Sequence, residues 1–197
     1  MDRLSTLLAQ FGMHATTIFG GELQAELGFD VKDRTAKLHL LRAGDALLQL
    51  GQQQPILINK PSLVFLPRPC QHSLRAASVG NIGSQRQVEL VSAALCFDGG
   101  LDNPLTMALP VYVLMPLTDI PMLSGNLDWL FTEAFAQHCG KNAVLNRLFE
   151  LVVIQLLRHM MASSSVASGM MAGLGVVVDL DYVSRNFLGR SYPTVMQ

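Results

Sequence analysis

Turn-forming residues punctuate this chain at short intervals from about residue 14 to residue 117, and then the rhythm stops. Gly, Pro, Asn and Asp interrupt the apolar runs every ~8–12 residues, which leaves room for short strands and none for a helix of ordinary length. The stretch "TAKLHLL" (35–41) alternates in part, and "ALLQLGQQQPILI" (46–58) predicts two strands around a Gln-rich turn. "SLVFLP" (62–67) predicts a buried strand stopped by Pro67, which has no N–H to give a ladder. "VELVSAALCF" (88–97) and "VYVLMP" (111–116) predict two more strands, and "SVGNIGSQRQ" (78–87) a polar loop. The Gly pairs at 20–21 and 99–100 are expected in turns. This stretch predicts an antiparallel β-barrel or sandwich.

Helical spacing replaces this texture after Pro121. "NLDWLFTEAFAQHCG" (126–140) predicts a helix closed by Gly140, and "NAVLNRLFELVVIQLLRHMM" (142–161) a second. A short amphipathic helix is predicted at the N-terminus from Leu4, Leu7, Leu8 and Phe11, ended by Gly12. In the last helix Leu145, Leu148, Leu151, Val152, Ile154, Leu156 and Leu157 cover more circumference than one contact face requires. A second copy of the chain is the expected cover, giving a homodimer with Leu148 and Leu151 on its seam. "ASSSVASGMMAG" (162–173) has linker composition, and 174–197 is too short to fold alone. The expected organisation is residues 1–121 as N-terminal helix and β-barrel, 122–163 as helical dimerisation region, and 164–197 as linker and tail. The fold class is α+β, mainly β.

Composition excludes several functions. A formal net charge of −1 with 14 Lys and Arg argues against DNA binding by this chain alone. No apolar run of ~18 residues and no secretory pattern is present, so no membrane partner is expected. Three cysteines are sparse, which predicts a cytoplasmic protein with reduced thiols.

The residues with most chemistry are His39, Cys70, His72 and Cys96. A strand at 37–41, the Pro-rich corner at 67–72 and a strand at 90–97 can converge on one side of a small barrel. Two thiolates and two imidazoles suit a closed tetrahedral zinc site, structural rather than catalytic because no position stays open for water. The same residues also fit small core thiols and locally bonded imidazoles. Leu38, Leu40, Leu47, Phe65 and Phe97 are expected to line a pocket for a small, partly apolar effector, or else to fill the core. His138 and Cys139 read as a helix-terminal pair without chemistry. No Ser-His-Asp signature or phosphate-cradling Gly loop is present.

Several stretches together resemble the sensor half of AraC-family transcriptional regulators, a cupin-like β-barrel followed by a helical pair. They are "LHLLRAGDALLQL" (38–50), "KPSLVFLPRPCQHSL" (60–74), "LDNPLTMALPVYVLMP" (101–116) and "WLFTEAFAQHCGKNAVLNRLFELVVIQLLRH" (129–159). The resemblance covers roughly residues 2–173. It implies a non-enzymatic domain that binds a small effector or structural zinc in the barrel and dimerises through its helices. It also places 38–50 and 60–74 at the metal-bearing end. General cupins carry two His separated by one residue plus a Glu in the first motif. Here that motif reads His39-Leu40-Leu41, with Asp45 near the Glu position, and Pro69 replaces the usual Gly of the second motif. Residues 174–197 hold no recognisable helix-turn-helix pair. A metal-dependent cupin enzyme, an oxygenase or isomerase, is the alternative.

Overall fold

Strand β3 (Ala36–Ala43) is buried without alternation from Ala36 to Leu41, and this decides the architecture. A strand hidden on both faces needs a layer on each side. The computed structural model, which describes residues 3–10, 12–77 and 87–162, supplies both layers. The loop expected at 78–87 lies almost wholly outside the described residues, as do the linker and tail.

Among the described residues, nine antiparallel strands form two sheets. The remaining ones are β1 (Met13–Glu22), β2 (Leu27–Phe29), β4 (Ala46–Leu50), β5 (Ile56–Ile58), β6 (Ser62–Leu66), β7 (His72–Ala76), β8 (Glu89–Phe97) and β9 (Val113–Pro116). One sheet has the order β1-β8-β3-β6-β9, the other β2-β7-β4-β5. Among these neighbours only β4 and β5 are consecutive in sequence, so most connections cross between sheets, as in a jelly roll. The helices are α1 (Arg3–Gln10), α2 (Pro104–Ala108), α3 (Ser124–Phe135) and α4 (Lys141–Ala162). The expected β-rich body followed by a helical pair is therefore present. No helix among the described residues is long and apolar enough to cross a membrane.

The two faces of the five-stranded sheet belong to different cores. Leu41, Val64, Leu66 and Leu90 face the four-stranded sheet, where they meet Leu48, Ile58 and Leu74. Leu38, Leu40, Leu63, Phe65, Val91, Ala93 and Leu95 face the other way, into a larger cluster with α3 and α4. Each alternate position of β3, β6 and β8 thus has its own apolar layer, which explains their near-continuous hydrophobic runs.

A bulge in β1 changes its phase. Thr17 pairs with Ala93 and Phe19 with Ser92, so Ile18 is an extra residue. Before it, Ala15 belongs to the helix-side cluster; after it, Phe19 packs into the inter-sheet cluster. Gly20 then passes under α3, where an added Cβ would lie 3.8 Å from the Ala134 Cβ. Gly20 and Gly21 are therefore strand residues paired with Val91 and Leu90 of β8, not the turn expected from their sequence. Gly99 and Gly100 do sit in a turn, at φ 85° and 61°.

Two further differences concern helices. The structure adds α2, whose N-cap Asn103 accepts the N–H of Leu105 at 2.9 Å, with Pro104 in the first turn. Helix α3 stops at Phe135, short of Gly140, because Ala136 is already extended at ψ 166°.

The expected dimer seam is largely internal. Leu148 is 4% exposed, and Leu145, Val152, Val153, Leu156 and Leu157 are also buried within this chain. Helix α4 spends its circumference on α3, on β1 and on the core between them. Of the two seam residues, only Leu151 is exposed.

At the end of β3, Arg42 reaches the helix layer. Its guanidinium lies 5.6 Å from the Phe131 ring centroid and 5.8 Å from that of Phe135, and 3.4 Å from Glu89.

Candidate functional site

The polar exception to the inter-sheet core lies on β3. Lys37 and His39 alternate with Leu38 and Leu40, so they point toward the four-stranded sheet. Register sets His39 beside Ser92 of β8, and Leu50 of β4 beside His72 of β7. His39 and His72 therefore meet from opposite sheets, with Nε2 atoms 2.9 Å apart and both rings buried.

Each ring is held from behind. His39 Nδ1 lies 2.8 Å from Ser92 Oγ, and His72 Nδ1 lies 2.7 Å from the carbonyl oxygen of Cys70. Phe29 of β2 stacks on His72 at 4.7 Å between centroids and 16° between planes, and its centroid is 5.0 Å from that of His39. The Lys37 ammonium stands 5.7 Å from the Phe29 centroid. Its partners are Thr35 Oγ1 at 2.5 Å and Asp33 Oδ2 at 3.4 Å.

This environment favours neutral imidazoles. Burial holds His39 well below its ordinary pKa, and the adjacent His72 and Lys37 add to the shift. Burial also lowers His72, opposed in part by its bond to the Cys70 carbonyl. The site is thus a compact, aromatic-walled polar cluster that includes the buried ammonium of Lys37.

Of the four expected zinc ligands, the structure brings together two. Cys70 contributes its carbonyl to His72, while its half-buried thiol lies 3.5 Å from the Gln71 carbonyl oxygen. Burial pushes that thiol's pKa up, away from the thiolate a metal needs. Cys96 is exposed and pairs with His14, four residues along β8 from Ser92. Four residues of strand are ~13 Å, beyond any shared coordination sphere. Asp45 lies past the end of β3, in the turn to β4. Among the described residues no group of three His, Cys, Asp or Glu side chains could hold a metal ion. The donor set present does not fit the metal that a cupin resemblance implies.

The expected pocket lining is also reversed. Leu38, Leu40, Phe65 and Phe97 lie in the helix-side core, and Leu47 is only half-buried on the four-stranded sheet. Opposite-parity residues line the space between the sheets. Sequence reasoning found His39 and His72 but missed Lys37, Ser92 and Phe29. Lys37 carried a usable signal, since it is two residues from His39 in an apolar strand and must share its face.

No curated protein matches the chain significantly. Apo ToxT from Vibrio cholerae is similar at 13% identity and TM-score 0.35, with 92% of this chain and 66% of that one covered. ToxT bound to an unsaturated fatty acid gives 13%, 0.35, 92% and 65%. The chain thus spans slightly less than two thirds of these structures. Protein NMB1881 from Neisseria meningitidis is similar at 15% identity and TM-score 0.25, over 48% of this chain and 98% of that one. These likenesses are too distant to carry a functional argument. The cupin family profile, however, matches residues 2–162, which takes in both sheets, the histidine pair and the helical pair, and the chain belongs to the cupin family.

Proposed function

We propose that this chain is the effector-sensing domain of an AraC-like transcriptional regulator. The observation that carries the reading is the joining of a cupin fold to a helical pair across one shared sheet. Lys37 and His39 stand on one face of β3, and α3 and α4 cover the other. A small molecule bound between the sheets would act on the strand that supports the helices. Buried Lys37 and Phe29 beside it offer a cation and an aromatic wall, which suit a small, partly apolar molecule with an acceptor group. In this reading the domain is not an enzyme, since catalytic cupin chemistry needs three protein ligands around an open metal and among the described residues only two imidazoles converge. Thermal-shift screening of the full chain against small acidic and neutral metabolites tests the proposal. A stabilising compound should lose its effect in Lys37→Met. A panel without any such compound, together with turnover of a cupin-oxygenase substrate, would favour the enzymatic alternative.

Self-association belongs to the same proposal, on a surface that keeps Leu151 of the seam first expected but not Leu148. Trp129 on α3 and Leu151 on α4 are 58% and 41% exposed, and Met122 just before α3 is 72% exposed. Large aromatic and methionine side chains left in water on a helical layer are typical of interface cores.

A further inference from the structure

We propose that a single proton, rather than a metal ion, joins His39 to His72, and that the pair is a metal-excluding tether between the two sheets. The argument begins at Cys70. A carbonyl oxygen only accepts, so the 2.7 Å contact makes His72 Nδ1 the donor. A neutral ring protonated at Nδ1 has a bare Nε2. Two bare nitrogens 2.9 Å apart would oppose lone pair to lone pair, so His39 Nε2 carries the hydrogen between them. His39 Nδ1 is then bare and accepts from the Ser92 hydroxyl at 2.8 Å.

The result is one directed chain: Ser92 Oγ–H to His39, His39 Nε2–H to His72, and His72 Nδ1–H to Cys70. Every buried ring nitrogen is used once, and none is left for a ligand. A divalent ion would need both Nε2 atoms bare, so His39 would have to move its proton to Nδ1 and Ser92 its own away. The rings would also have to part, because two nitrogens at ~2.0–2.1 Å from a tetrahedral zinc stand ~3.3 Å from one another. No third side chain among the described residues compensates for this rearrangement. The chain crosses from β8 through β3 to β7, so it links the two sheets through buried polar groups.

The test uses the full chain labelled with 15N-histidine, read by long-range proton–nitrogen correlation near neutral pH. One buried ring should be protonated at Nε2 and the other at Nδ1. In Ser92→Ala the ring that loses its Nδ1 partner, and only that ring, should shift, which assigns it to His39 without removing either imidazole. A several-fold excess of zinc chloride should leave both patterns in place, with no stoichiometric metal retained at the pair after desalting. Two buried rings both protonated at Nδ1 would overturn the tether. So would joint movement of both Nε2 signals on zinc addition with stoichiometric retention of the metal.

Discussion

Asn146 Oδ1 accepts two hydrogen bonds from Thr17, one from its backbone N–H at 2.8 Å and one from its hydroxyl at 2.9 Å. One turn along α4, Glu150 Oε1 accepts the N–H of Ala15 at 3.1 Å. These N–H groups belong to β1, the outer strand of its sheet, and point away from β8. The i, i+4 pair on a helix thereby satisfies donors that a neighbouring strand would otherwise have taken.

Asn146→Ala should therefore cost ~1–3 kcal/mol, the penalty for a part-buried donor left without its acceptor. Denaturant unfolding measures it, and hydrogen exchange should show faster loss of protection at Thr17 than in β3. An unchanged midpoint would mean that water replaces the side chain without cost.

Stability should fall as the medium is acidified below about pH 6.5. In the unfolded chain both buried imidazoles regain ordinary values near ~6.5, whereas in the fold both are held lower. Between these limits the unfolded state binds more protons, so the favourable contribution is complete above ~6.5 and is lost as pH drops. Melting temperatures between pH 8 and pH 5 should show this slope, and a His39→Gln, His72→Gln double variant should flatten it. A flat wild-type profile would contradict the neutral pair.

Gly44→Ala should destabilise the fold by more than ~1 kcal/mol. Gly44 has φ 81°, and an added Cβ would stand 2.6 Å from the Gln87 carbonyl oxygen and 2.7 Å from Val88 Cα. Thermal unfolding beside Gly51→Ala separates close contact from backbone strain. Gly51 also has positive φ, at 50°, but meets nothing within 4 Å, so its variant should lose less.

Trp129→Glu and Leu148→Glu should behave differently. Leu148 is enclosed by its own chain, so a carboxylate there should unfold the protein. Trp129 is exposed, so its variant should stay folded and, if the helical layer pairs with a second copy, shift the mass from dimer to monomer in light scattering. A Trp129→Glu protein that keeps the wild-type dimer would remove this surface from the proposal.

The sequence was most legible where one local rule acted without competition. The arrest of "SLVFLP" at Pro67 and the change of period after Pro121 both survive in β6, α3 and α4. His39 and His72 were also legible, though only as two of four expected zinc ligands with Cys70 and Cys96, because each is a polar residue set in or beside an apolar run. Face assignment was less accessible. Leu38 and Leu40 looked like pocket lining because a strand buried on both sides does not reveal which side is which. Cys96 seemed close to His39 because offset along a strand depends on register, and the β3–β8 register that sets His39 opposite Ser92 is not announced by any residue type. Asn103-Pro104 did announce α2, through a cap and a first-turn proline, within a stretch whose strand-like neighbours drew the reading the other way.

Seen mechanically, β3 is a clamped beam. It is hydrogen-bonded to β6 and β8 on its two sides and packed on both faces, so it has no soft transverse direction. The same two ladders fix its register, so it cannot slide alone. Lys37 and His39 load one end, and Arg42, lodged against Phe131, Phe135 and Glu89, loads the other. The polar cluster on one face and the helix contacts on the other thus share a single ladder, with three residues from His39 to Arg42.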